Sequence, residues 1–395
     1  MAAQVLATAG VQVSVHEHMP SVGRKLLLAG RSGLNMTHTE PIADMVARFG
    51  PAADRLEPAI RAFGPAQLRA WSAELGQPTF VGSSGRVFPS SFRATPLLRA
   101  WMAHLRTMGV SFVLRDRWTG WALSSGGAPD STRCTFQGIH GATVVAADIT
   151  LLALGGASWP RVGSDGGWVD LLRLAGIDVL PLRPANCAVH VAWRAVFVDR
   201  FAGLPVKNIA VTVGSVRQRG DAMVTTHGLE GGPVYAVSSA VRDVVERDGV
   251  GQMSIDLQPD LTVDALVRRL AHRRSKESLT TWLRRTIGLS PVAIALLFEA
   301  TGRRVSNEPT ELAALVKHVP VVVIGVAPLD RAISSSGGIA MEEVTESFML
   351  RRFPGTFVAG EMLNWDAPTG GYLLQASLST AVAAANGALD WLAGH

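Results

Sequence analysis

Apolar and polar residues alternate along this chain in two ways, with the spacing of helices in some stretches and of strands in others. Near the start, Ala2–Ala9 predicts the last turns of a helix closed by Gly10, and Val11, Val13 and Val15 predict a strand over 11–16. Further along, the pattern predicts helices at 41–49, 52–62, 65–75 and 95–108, a hairpin around Gly82–Gly85, and strands at 110–118, 132–137, 142–146 and 149–154.

A strand that stops on glycines and leads into a helix is typical of α/β proteins. Leu151–Leu154 is such a strand, Gly155 and Gly156 follow it, and the glycine-rich 163–167 opens a helix through Leu174. The same style returns after Ile339. There we predict a strand at 356–359 and a helix at 371–392.

The middle of the chain has a different character. From about Asn186 to Val326, predicted strands alternate with helices that carry arginines. These strands are at 186–193, 206–218 and 252–257, and the helices are at 261–274, 279–287 and 309–317. We therefore predict two domains, one formed by 1–185 with 331–395 and one formed by the insert 186–330.

Composition supports a folded protein with room for two cores. Of 395 residues, 48% are apolar and 17% are charged, and the formal net charge is +5 with its basic residues scattered. This charge permits anionic ligands without requiring nucleic acid. Cys134 and Cys187 form no C-x-x-C motif, which argues against disulfides and fits a reducing cytoplasm. We expect no signal peptide, and the apolar run Val319–Ala327 is too short to span a membrane.

An acid at the end of the early strand is the sharpest local signal. In a dinucleotide-binding βαβ unit, the acid after the second strand holds the ribose hydroxyls, about 20 residues beyond a G-x-G-x-x-G turn. Glu17 occupies such a position, but counting back leads off the front of the chain, and no other segment supplies the glycine motif. Taken alone, Glu17 could equally be a solvated acid at a strand end.

Two glycine-rich segments add to this signal. Arg24, Lys25 and Arg31 stand among glycines after the early strand and offer positive charge to a pyrophosphate, although an ordinary surface loop can look the same. Near the end, Gly360 and Glu361 precede Asp366 and a Thr-Gly-Gly-Tyr turn that enters a helix. Helix N-termini bind anions and carbonyls, and the alternative is a turn that only caps a buried helix.

Together these segments resemble one family, the bacterial BaiN/RdsA-type NAD(P)/FAD-dependent oxidoreductases. The matching stretches follow the family's order over nearly the whole chain. They are VSVHEHMPSVGRKLLLAGRSGLNMTH, GRVFPSSFRATPLL, LLALGGASWPRVGSDGGW, THGLEGGPVYAVSS and FVAGEMLNWDAPTGGYLLQASLSTA. The resemblance implies an α/β flavoprotein of the two-dinucleotide-binding-domain type, with a Rossmann-like FAD domain and an inserted mixed α/β domain.

The resemblance also implies roles for individual residues. Glu17 would hold the adenosine ribose. The flavin and pyrophosphate path would be lined by Arg24, Lys25, Gly30, Arg31, Gly33 and Asn35, and the glycines after the middle strand are Gly155 and Gly156. The ribityl–pyrophosphate portion would contact Gly360, Glu361 and Asp366, and the isoalloxazine would lie near Thr369, Gly370, Gly371 and Tyr372.

The front of the chain departs from the family pattern. The family begins with a strand and G-x-G-x-x-G, whereas this sequence starts inside the helix that should follow them. We therefore expect an N-terminally truncated reading frame, with the missing strand and turn encoded in frame upstream. Loss of that turn would remove backbone donors for the pyrophosphate.

His227, in Thr-His-Gly before a predicted helix of the insert, resembles a family motif that faces the flavin. We predict it as a proton donor or substrate contact, because imidazole titrates near neutral pH, and the alternative is a structural role. His16 and His18 lack a third ligand, so we expect no metal site. The basic run His272–Arg274 lacks interleaved aromatics, and we expect a solvated helix face.

The resulting prediction is a cytoplasmic FAD-dependent oxidoreductase that acts on a small-molecule substrate. A nicotinamide nucleotide, NADH or NADPH, is expected as a transient reductant, since no second glycine motif is visible. Three alternatives stay open at this point: a flavin-independent dinucleotide enzyme, an RNA-binding or RNA-modifying protein, and an inactive truncated remnant. We expect no membrane partner and no nucleic acid, and the sequence leaves the oligomeric state undetermined.

Overall fold

Short helices and strands alternate along the chain, which a computed structural model describes over residues 1–31, 33–302 and 304–395. Within these ranges the helices are α1 (Ala2–Thr8), α2 (Arg24–Ala29), α3 (Ile42–Ala47), α4 (Ala53–Ala62), α5 (Pro65–Glu74), α6 (Ala94–Thr107), α7 (Val169–Leu174), α8 (Ala195–Phe201), α9 (Gly232–Asp248), α10 (Val263–Leu270), α11 (Leu279–Ile287), α12 (Pro291–Ala300), α13 (Pro309–Lys317) and α14 (Tyr372–Gly394).

The strands are equally short, and most have between two and seven residues. They are β1 (Ser14–Glu17), β2 (Thr37–His38), β3 (Thr79–Val81), β4 (Arg86–Pro89), β5 (Ser111–Leu114), β6 (Arg117–Leu123), β7 (Pro129–Gly138), β8 (Gly141–Ala146), β9 (Thr150–Leu152), β10 (Val179–Ala185), β11 (Val189–His190), β12 (Pro205–Val213), β13 (Val216–Val224), β14 (Gly228–Glu230), β15 (Gly251–Asp256), β16 (Val319–Val323), β17 (Gly325–Val326), β18 (Ser334–Ile339) and β19 (Thr356–Val358).

The chain folds as two compact units. Met1–Arg183 and Ser334–His395 form the first unit, and Pro184–Ile333 forms the second unit. The first unit therefore contains residues from both ends of the chain. The roles that we expect for these units, cofactor binding and substrate binding, remain predictions.

Parallel strand pairs define the first unit. β1 pairs with β5 from Ser14↔Ser111 to Glu17↔Leu114, and β9 pairs with β19 in the same sense. In parallel sheets, ligands bind in the crevice beyond the carboxyl ends of the strands. The α/β class predicted for this part of the chain is confirmed. Of the predicted site residues, Glu17 is the last residue of such a strand, and Gly155 and Gly360 follow the ends of two others.

Helix α14 is the central helix of the first unit, and α1 and α4 pack against it. Its buried face consists largely of small residues, among them Ala376, Ala384, Ala385 and Ala388, each fully inaccessible. Small side chains allow close approach of the neighbouring helices, so this stripe positions the α14 N-terminus firmly.

One predicted strand of the first unit, 110–118, is wrong as a single element. The structure divides it into β5 and β6 at Arg115, whose φ of 58° is in the left-handed region, and at the buried Asp116. The Asp116 carboxylate lies 2.7 Å from His16 Nδ1, so the turn directs a polar group to a partner on β1. The local sequence around Asp116 gives no sign that His16 will be its partner.

The second unit is built on a seven-stranded sheet in the order β16-β15-β12-β13-β14-β11-β17. Its core contains the fully buried Trp282. The predicted strand 206–218 is wrong, because Gly214, with φ of 56°, turns the chain between β12 and β13. The predicted strand 186–193 shortens to β11, whereas α11 and the predicted helix 309–317 agree with the structure.

Candidate functional site

Lys25 joins three separate segments of the first unit. Its ammonium donates hydrogen bonds to Ser158 Oγ at 2.7 Å and to Ser164 Oγ at 3.4 Å, and it pairs with Glu361 Oε2 at 2.7 Å. The side chains of Lys25 and Glu361 are 29% and 14% exposed, so the pair is partly shielded from water. We call these four residues the Lys25 junction, which brings the segments after β1, β9 and β19 to one place.

The loop after β9 requires its two glycines. Gly155 has φ of 72°, and its carbonyl accepts a hydrogen bond of 2.8 Å from Trp168 Nε1. A Cβ on Gly156 would lie 1.7 Å from Ser335 Oγ, the same hydroxyl that accepts a 3.2 Å bond from Ala157 N–H. The backbone therefore runs directly against neighbouring groups, as glycine alone allows.

Glu17 ends β1 next to this loop. Its carboxylate accepts a 2.9 Å hydrogen bond from Met19 N–H and lies 3.3 Å from His18 Nδ1. A Cβ on Gly163 would lie 2.9 Å from Met19 Cγ, so the segment after Glu17 packs against the residue before Ser164. Glu17 and the Lys25 junction therefore belong to one continuous set of contacts.

Asp165 adds a second anion at this end of the set. Burial alone would raise the pKa of Asp165, but hydrogen bonds from Arg117 and Gly167 N–H outweigh it and lower the pKa below its ordinary value. The Arg117 guanidinium lies 2.8 Å from the Asp165 carboxylate. Asp165 is therefore ionised at neutral pH.

The turn before α14 lies directly on β2. Gly371 has φ of 97°, and a Cβ there would lie 2.6 Å from both N and Cα of Thr37. The Thr37 hydroxyl donates a 2.6 Å hydrogen bond to Gln375 Oε1, and both residues are fully buried. The helix N-terminus is thus fixed against the segment that follows Asn35.

Tyr372, the first residue of α14, is held by charged partners. It is buried, its ring stacks on His38 with centroids 5.7 Å apart, and it shares a hydrogen bond with Glu40. Burial, the hydrogen bond to Glu40 and the charge of Glu40 raise the pKa of Tyr372, which keeps the phenol neutral. Arg48 lies 2.9 Å from Glu40 and completes a chain of three side chains.

Two buried polar atoms test whether these residues fit a flavin dinucleotide. Arg24 Nε and Asn35 Oδ1 are inaccessible to water and have no hydrogen-bond partner among the described residues. FAD carries phosphate oxygens that accept hydrogen bonds and a flavin N–H that donates one, so it offers the complementary group to each atom. With the positive-φ glycines and the helix N-terminus, this donor set fits the cofactor.

Several predicted residues of the first unit also have structural roles of their own. Gly30 packs against Ala94 and Gly33 against Phe92, where a Cβ would lie 2.5 and 2.3 Å from those side chains. Gly360 N–H donates a 3.1 Å bond to Thr380 Oγ1 on α14. Arg31 is exposed, and its neighbour Ser32 in the quoted motif lies outside the described residues.

Asp366 and Thr369 lie half-buried between β19 and α14. Asp366 Oδ1 accepts a 2.8 Å hydrogen bond from Ala367 N–H. The cofactor roles of all these residues stay predictions, since nothing in these contacts tests them.

His227 belongs to the second unit and is exposed in the turn between β13 and β14. The turn is well fixed, because His227 N–H and Gly228 N–H both donate to Thr225 Oγ1, at 3.3 and 3.0 Å. The catalytic role predicted for His227 stays a prediction.

Sequence reasoning missed several residues of this region. Ser158 and Ser164 lie just beyond the glycine pair, so their proximity to the motif was a usable signal. Ser335 gives no such signal. Glu40 and Arg48 lie on either side of α3, and only the fold brings them to Tyr372.

Two features are absent from the described residues. Over 1–31, 33–302 and 304–395, no helix combines the length and apolar character needed to cross a membrane. In the same ranges, no three histidine, cysteine or acidic side chains converge as a metal site would require.

Comparison with known proteins finds a matching family model and a similar reductase. The family model described as HI0933-like protein Rossmann domain matches residues 1–387. A 3-dehydro-bile acid delta(4,6)-reductase from Clostridium scindens is 23% identical, and the alignment covers 96% of this chain and 93% of the reductase.

Two solved structures share the fold of this chain. The 3-ketosteroid delta1-dehydrogenase from Sterolibacterium denitrificans has a TM-score of 0.52 at 13% identity, with 98% of each chain covered. The 3-ketosteroid-delta4-(5alpha)-dehydrogenase from Rhodococcus jostii RHA1 has a TM-score of 0.50 at 14% identity, with 98% of this chain and 93% of that chain covered.

These matches confirm the family resemblance drawn from the motifs and support an FAD-dependent oxidoreductase. Since the family model spans nearly the whole sequence, this chain belongs to the HI0933-like Rossmann-domain family.

Proposed function

We propose that this chain is an FAD-dependent oxidoreductase whose first unit holds the cofactor and whose reductant is NADH or NADPH. The observation that carries the proposal is the contact between Lys25 and Glu361, 336 positions apart, which joins the segment after β1 to the segment after β19. An extended dinucleotide needs ligands from such separate strand ends. The two unpartnered polar atoms of Arg24 and Asn35 give independent support.

Each part of the cofactor has candidate residues in this unit. Glu17 would hold the adenosine ribose, and Arg24, Lys25 and Arg31 would face the pyrophosphate. The backbone would approach the cofactor closely at five glycines, which are Gly30, Gly33, Gly155, Gly156 and Gly360. The contacts along the ribityl chain and the ring would come from Asn35, Glu361, Asp366, Thr369, Gly370, Gly371 and Tyr372. When bound, the flavin supplies hydride-transfer chemistry.

For the substrate we propose a small, largely apolar molecule with a carbon–carbon double bond conjugated to a carbonyl group. The support is the relative at 23% identity, which is a delta(4,6)-reductase of a 3-dehydro-bile acid. In such a reduction a protein group delivers a proton as the double bond is saturated, and we assign that role to His227. A cytoplasmic location is part of the same proposal.

The test is a visible absorption spectrum of the purified chain after incubation with FAD and gel filtration. We expect flavin bands, their bleaching by NADPH under anaerobic conditions, and their return on addition of a 3-oxo-Δ4 steroid. Protein that retains no flavin would overturn the proposal.

Variants of the Lys25 junction refine this test. We expect Lys25→Met and Glu361→Gln each to weaken FAD binding at least tenfold. Lys25→Met removes the ammonium that joins the three segments, and Glu361→Gln leaves that partly buried ammonium without an opposite charge. The measurement is a titration of FAD by fluorescence quenching. Lys207→Met, at an exposed lysine of β12, is the matched control and should bind FAD as the original chain does.

A further inference from the structure

A groove of the first unit lies between α2, α6 and the end of β5. Its volume is about 410 Å³, within the range of roughly 300–1,000 Å³ that is usual for small-molecule sites. Most of its lining is apolar, and these side chains are Val22, Leu27, Leu98, Met102, Phe112 and Leu114. None of the described residues predicted to contact FAD lines this cavity, which we call the α6 groove.

Helix α6 carries apolar residues on two of its sides. One side, with Ala94 and Leu97, is buried in a core cluster that includes Trp71. Leu98 and Met102, on the other side, lie outside that cluster and are only half-buried. The core therefore does not require them, and exposed apolar surface of this kind often marks a binding site.

The walls of the α6 groove are held in place by contacts within the first unit. Gly23, with φ of 70°, packs against α6 so closely that a Cβ there would lie 2.6 Å from Leu98 Cδ2. Strand β5 is fixed by its parallel pairing with β1. The Arg106 guanidinium carbon lies over the Phe112 ring, 5.9 Å from its centroid. The groove is therefore preformed, and a ligand needs little further ordering of the protein.

Two arginines give the α6 groove a positive charge. Arg99 and Arg106 both line it, and seven positions correspond to about two turns of one helix, so they lie on the same wall. None of the described residues that line the groove is acidic, and no described carboxylate forms an ion pair with either guanidinium. An anionic group on a ligand would therefore complement this wall.

We propose that the α6 groove binds a free apolar carboxylate, a ligand distinct from FAD. The hydrocarbon part lies on Leu98, Met102 and Phe112. The carboxylate accepts hydrogen bonds from Arg106, with Arg99 as a second positive charge on the same wall. A planar guanidinium presents paired N–H donors that match the two oxygens of a carboxylate. Because most of the lining is apolar, a ligand with one charged end fits the groove better than a compact polyanion.

Calorimetric titration of the full chain with decanoate, kept below its micelle concentration, tests the proposal. We expect saturable binding at one site per chain that weakens with added salt, because exposed guanidinium groups are screened. Decan-1-ol, which lacks the charge, should bind at least tenfold more weakly. Inorganic phosphate, which lacks the apolar part, should not displace decanoate.

Variants of the α6 groove give a second measurement. Arg106→Gln and Arg99→Gln should each weaken decanoate binding about fivefold or more, because each removes a positive charge. Met102→Glu should abolish binding, because it places a carboxylate in the apolar part. These three side chains are at least partly exposed, so the melting temperatures should stay the same. Arg133→Gln, at an exposed arginine of β7, is the matched control and should bind decanoate as the original chain does.

Several outcomes would overturn the inference. One is equal decanoate binding by the original chain and by all three groove variants. Another is displacement of decanoate by FAD or by adenosine monophosphate, because the groove would then belong to the cofactor site. A third is attachment of the chain to phosphatidylglycerol vesicles without binding of free decanoate, since the arginines would then face a membrane surface. Decanoate binding by a chain that retains no flavin would support the inference and overturn only the proposed function.

Discussion

Arg24 Nε and Asn35 Oδ1 are buried polar atoms that gave up water and gained no partner among the described residues. Such an atom costs about 1–3 kcal/mol relative to a satisfied one. Both belong to the segment predicted to follow the flavin and pyrophosphate, so a cofactor that bonds them recovers this cost as binding energy. Stability of the empty protein and affinity for the cofactor are therefore opposed at these positions.

The variant Asn35→Leu separates the stability of the cofactor-free protein from its affinity for FAD. We expect the free energy of unfolding without FAD to stay the same or to rise by up to ~1 kcal/mol, because an unsatisfied polar atom is removed, while FAD affinity falls. Urea unfolding and FAD titration measure the two effects. Gln375→Leu is the opposite case, since the Gln375 amide bonds Thr37, Phe63 and Ser379, and should lose roughly 1–3 kcal/mol. Equal destabilisation by both variants would contradict this expectation.

Glu40 contributes to the stability of the fold in a pH-dependent way, through the hydrogen bonds that it accepts from Arg48 and Tyr372. Burial alone would raise the pKa of Glu40, but hydrogen bonds from Arg48 and Tyr372 outweigh it and lower the pKa below the ordinary 4.5. A carboxyl with a lowered pKa stabilises the fold fully above its unfolded pKa, and this contribution is lost as pH falls through the folded value. Because the Arg48 side chain is 47% exposed, we expect no more than ~1 kcal/mol.

The free energy of unfolding, measured across pH for the original chain and for Glu40→Gln, tests this contribution of Glu40 to stability. The difference in unfolding free energy should be largest near neutral pH and should shrink as the solution is acidified below about pH 4.5. Glu74→Gln, at an exposed position of α5, serves as the comparison and should show no such trend. A difference that grows on acidification would have the wrong sign.

At the scale of elements, the N-terminus of α14 is a tightly constrained junction of the first unit. Gly371 combines φ of 97° with a position where a Cβ would lie 2.6 Å from the Thr37 backbone. Backbone atoms cannot move aside as a flexible side chain can, so the helix would have to shift as a whole. Any such shift would also displace Tyr372 and the glycine turn.

Gly371→Ala therefore has a defined outcome. We expect a loss of about 2–4 kcal/mol in unfolding free energy, from the strained φ and the forced displacement, and the loss of FAD binding. Gly394→Ala, at the other end of α14 with open space around it, should be neutral within ~0.5 kcal/mol. Thermal unfolding of the two variants side by side gives the comparison, and equal melting temperatures would refute the steric interpretation.

The elements that the sequence predicted well are those with strong local signals. Two helix boundaries are visible in the local sequence. One is the serine N-cap of α11, whose hydroxyl accepts a hydrogen bond from Thr281 N–H, and the other is the proline at the start of α13. The uniformly apolar α12 gave no helical period to detect. The turn at Gly214 was not predicted, because a long strand and a hairpin show the same alternation of apolar and polar residues.

The site could be predicted only in part for a related reason. Motifs indicated which segments bind, but the partner of Lys25 is 336 positions away. The anchoring of Tyr372 by Glu40 and Arg48 depends on how strands and turns are placed. Distances between remote segments arise from tertiary packing, which no local pattern encodes.

At the scale of the whole molecule, the division into two units makes a prediction about where FAD acts. A ligand that binds the folded state stabilises it by about 2.7 kcal/mol at a free concentration 100 times Kd. We expect FAD to slow amide hydrogen exchange in 14–40, 152–168 and 358–375 of the first unit, with smaller changes in 184–333. Adenosine monophosphate, as the control, should protect only the region around Glu17. Protection confined to the second unit would contradict the assignment of the cofactor to the first unit.

The charge of the second unit bears on the expectation that nucleic acid is not a partner. Arg285 forms a 2.8 Å ion pair with Glu277, and Arg273 donates to the Glu277 carbonyl and to the side chain of Asn307. Arginines engaged in this way present less free charge to a phosphate backbone. The exclusion of nucleic acid nevertheless stays a prediction.

The Lys25 junction has a practical consequence for handling the protein. Since one ammonium already ties the segments after β1, β9 and β19 together, we expect these segments to stay in place when FAD is removed. Removing FAD by dialysis against bromide and then adding FAD back should quickly restore full occupancy of the cofactor site. Chemically altered flavins, exchanged in by the same route, would serve as reporters of redox potential in otherwise unchanged protein.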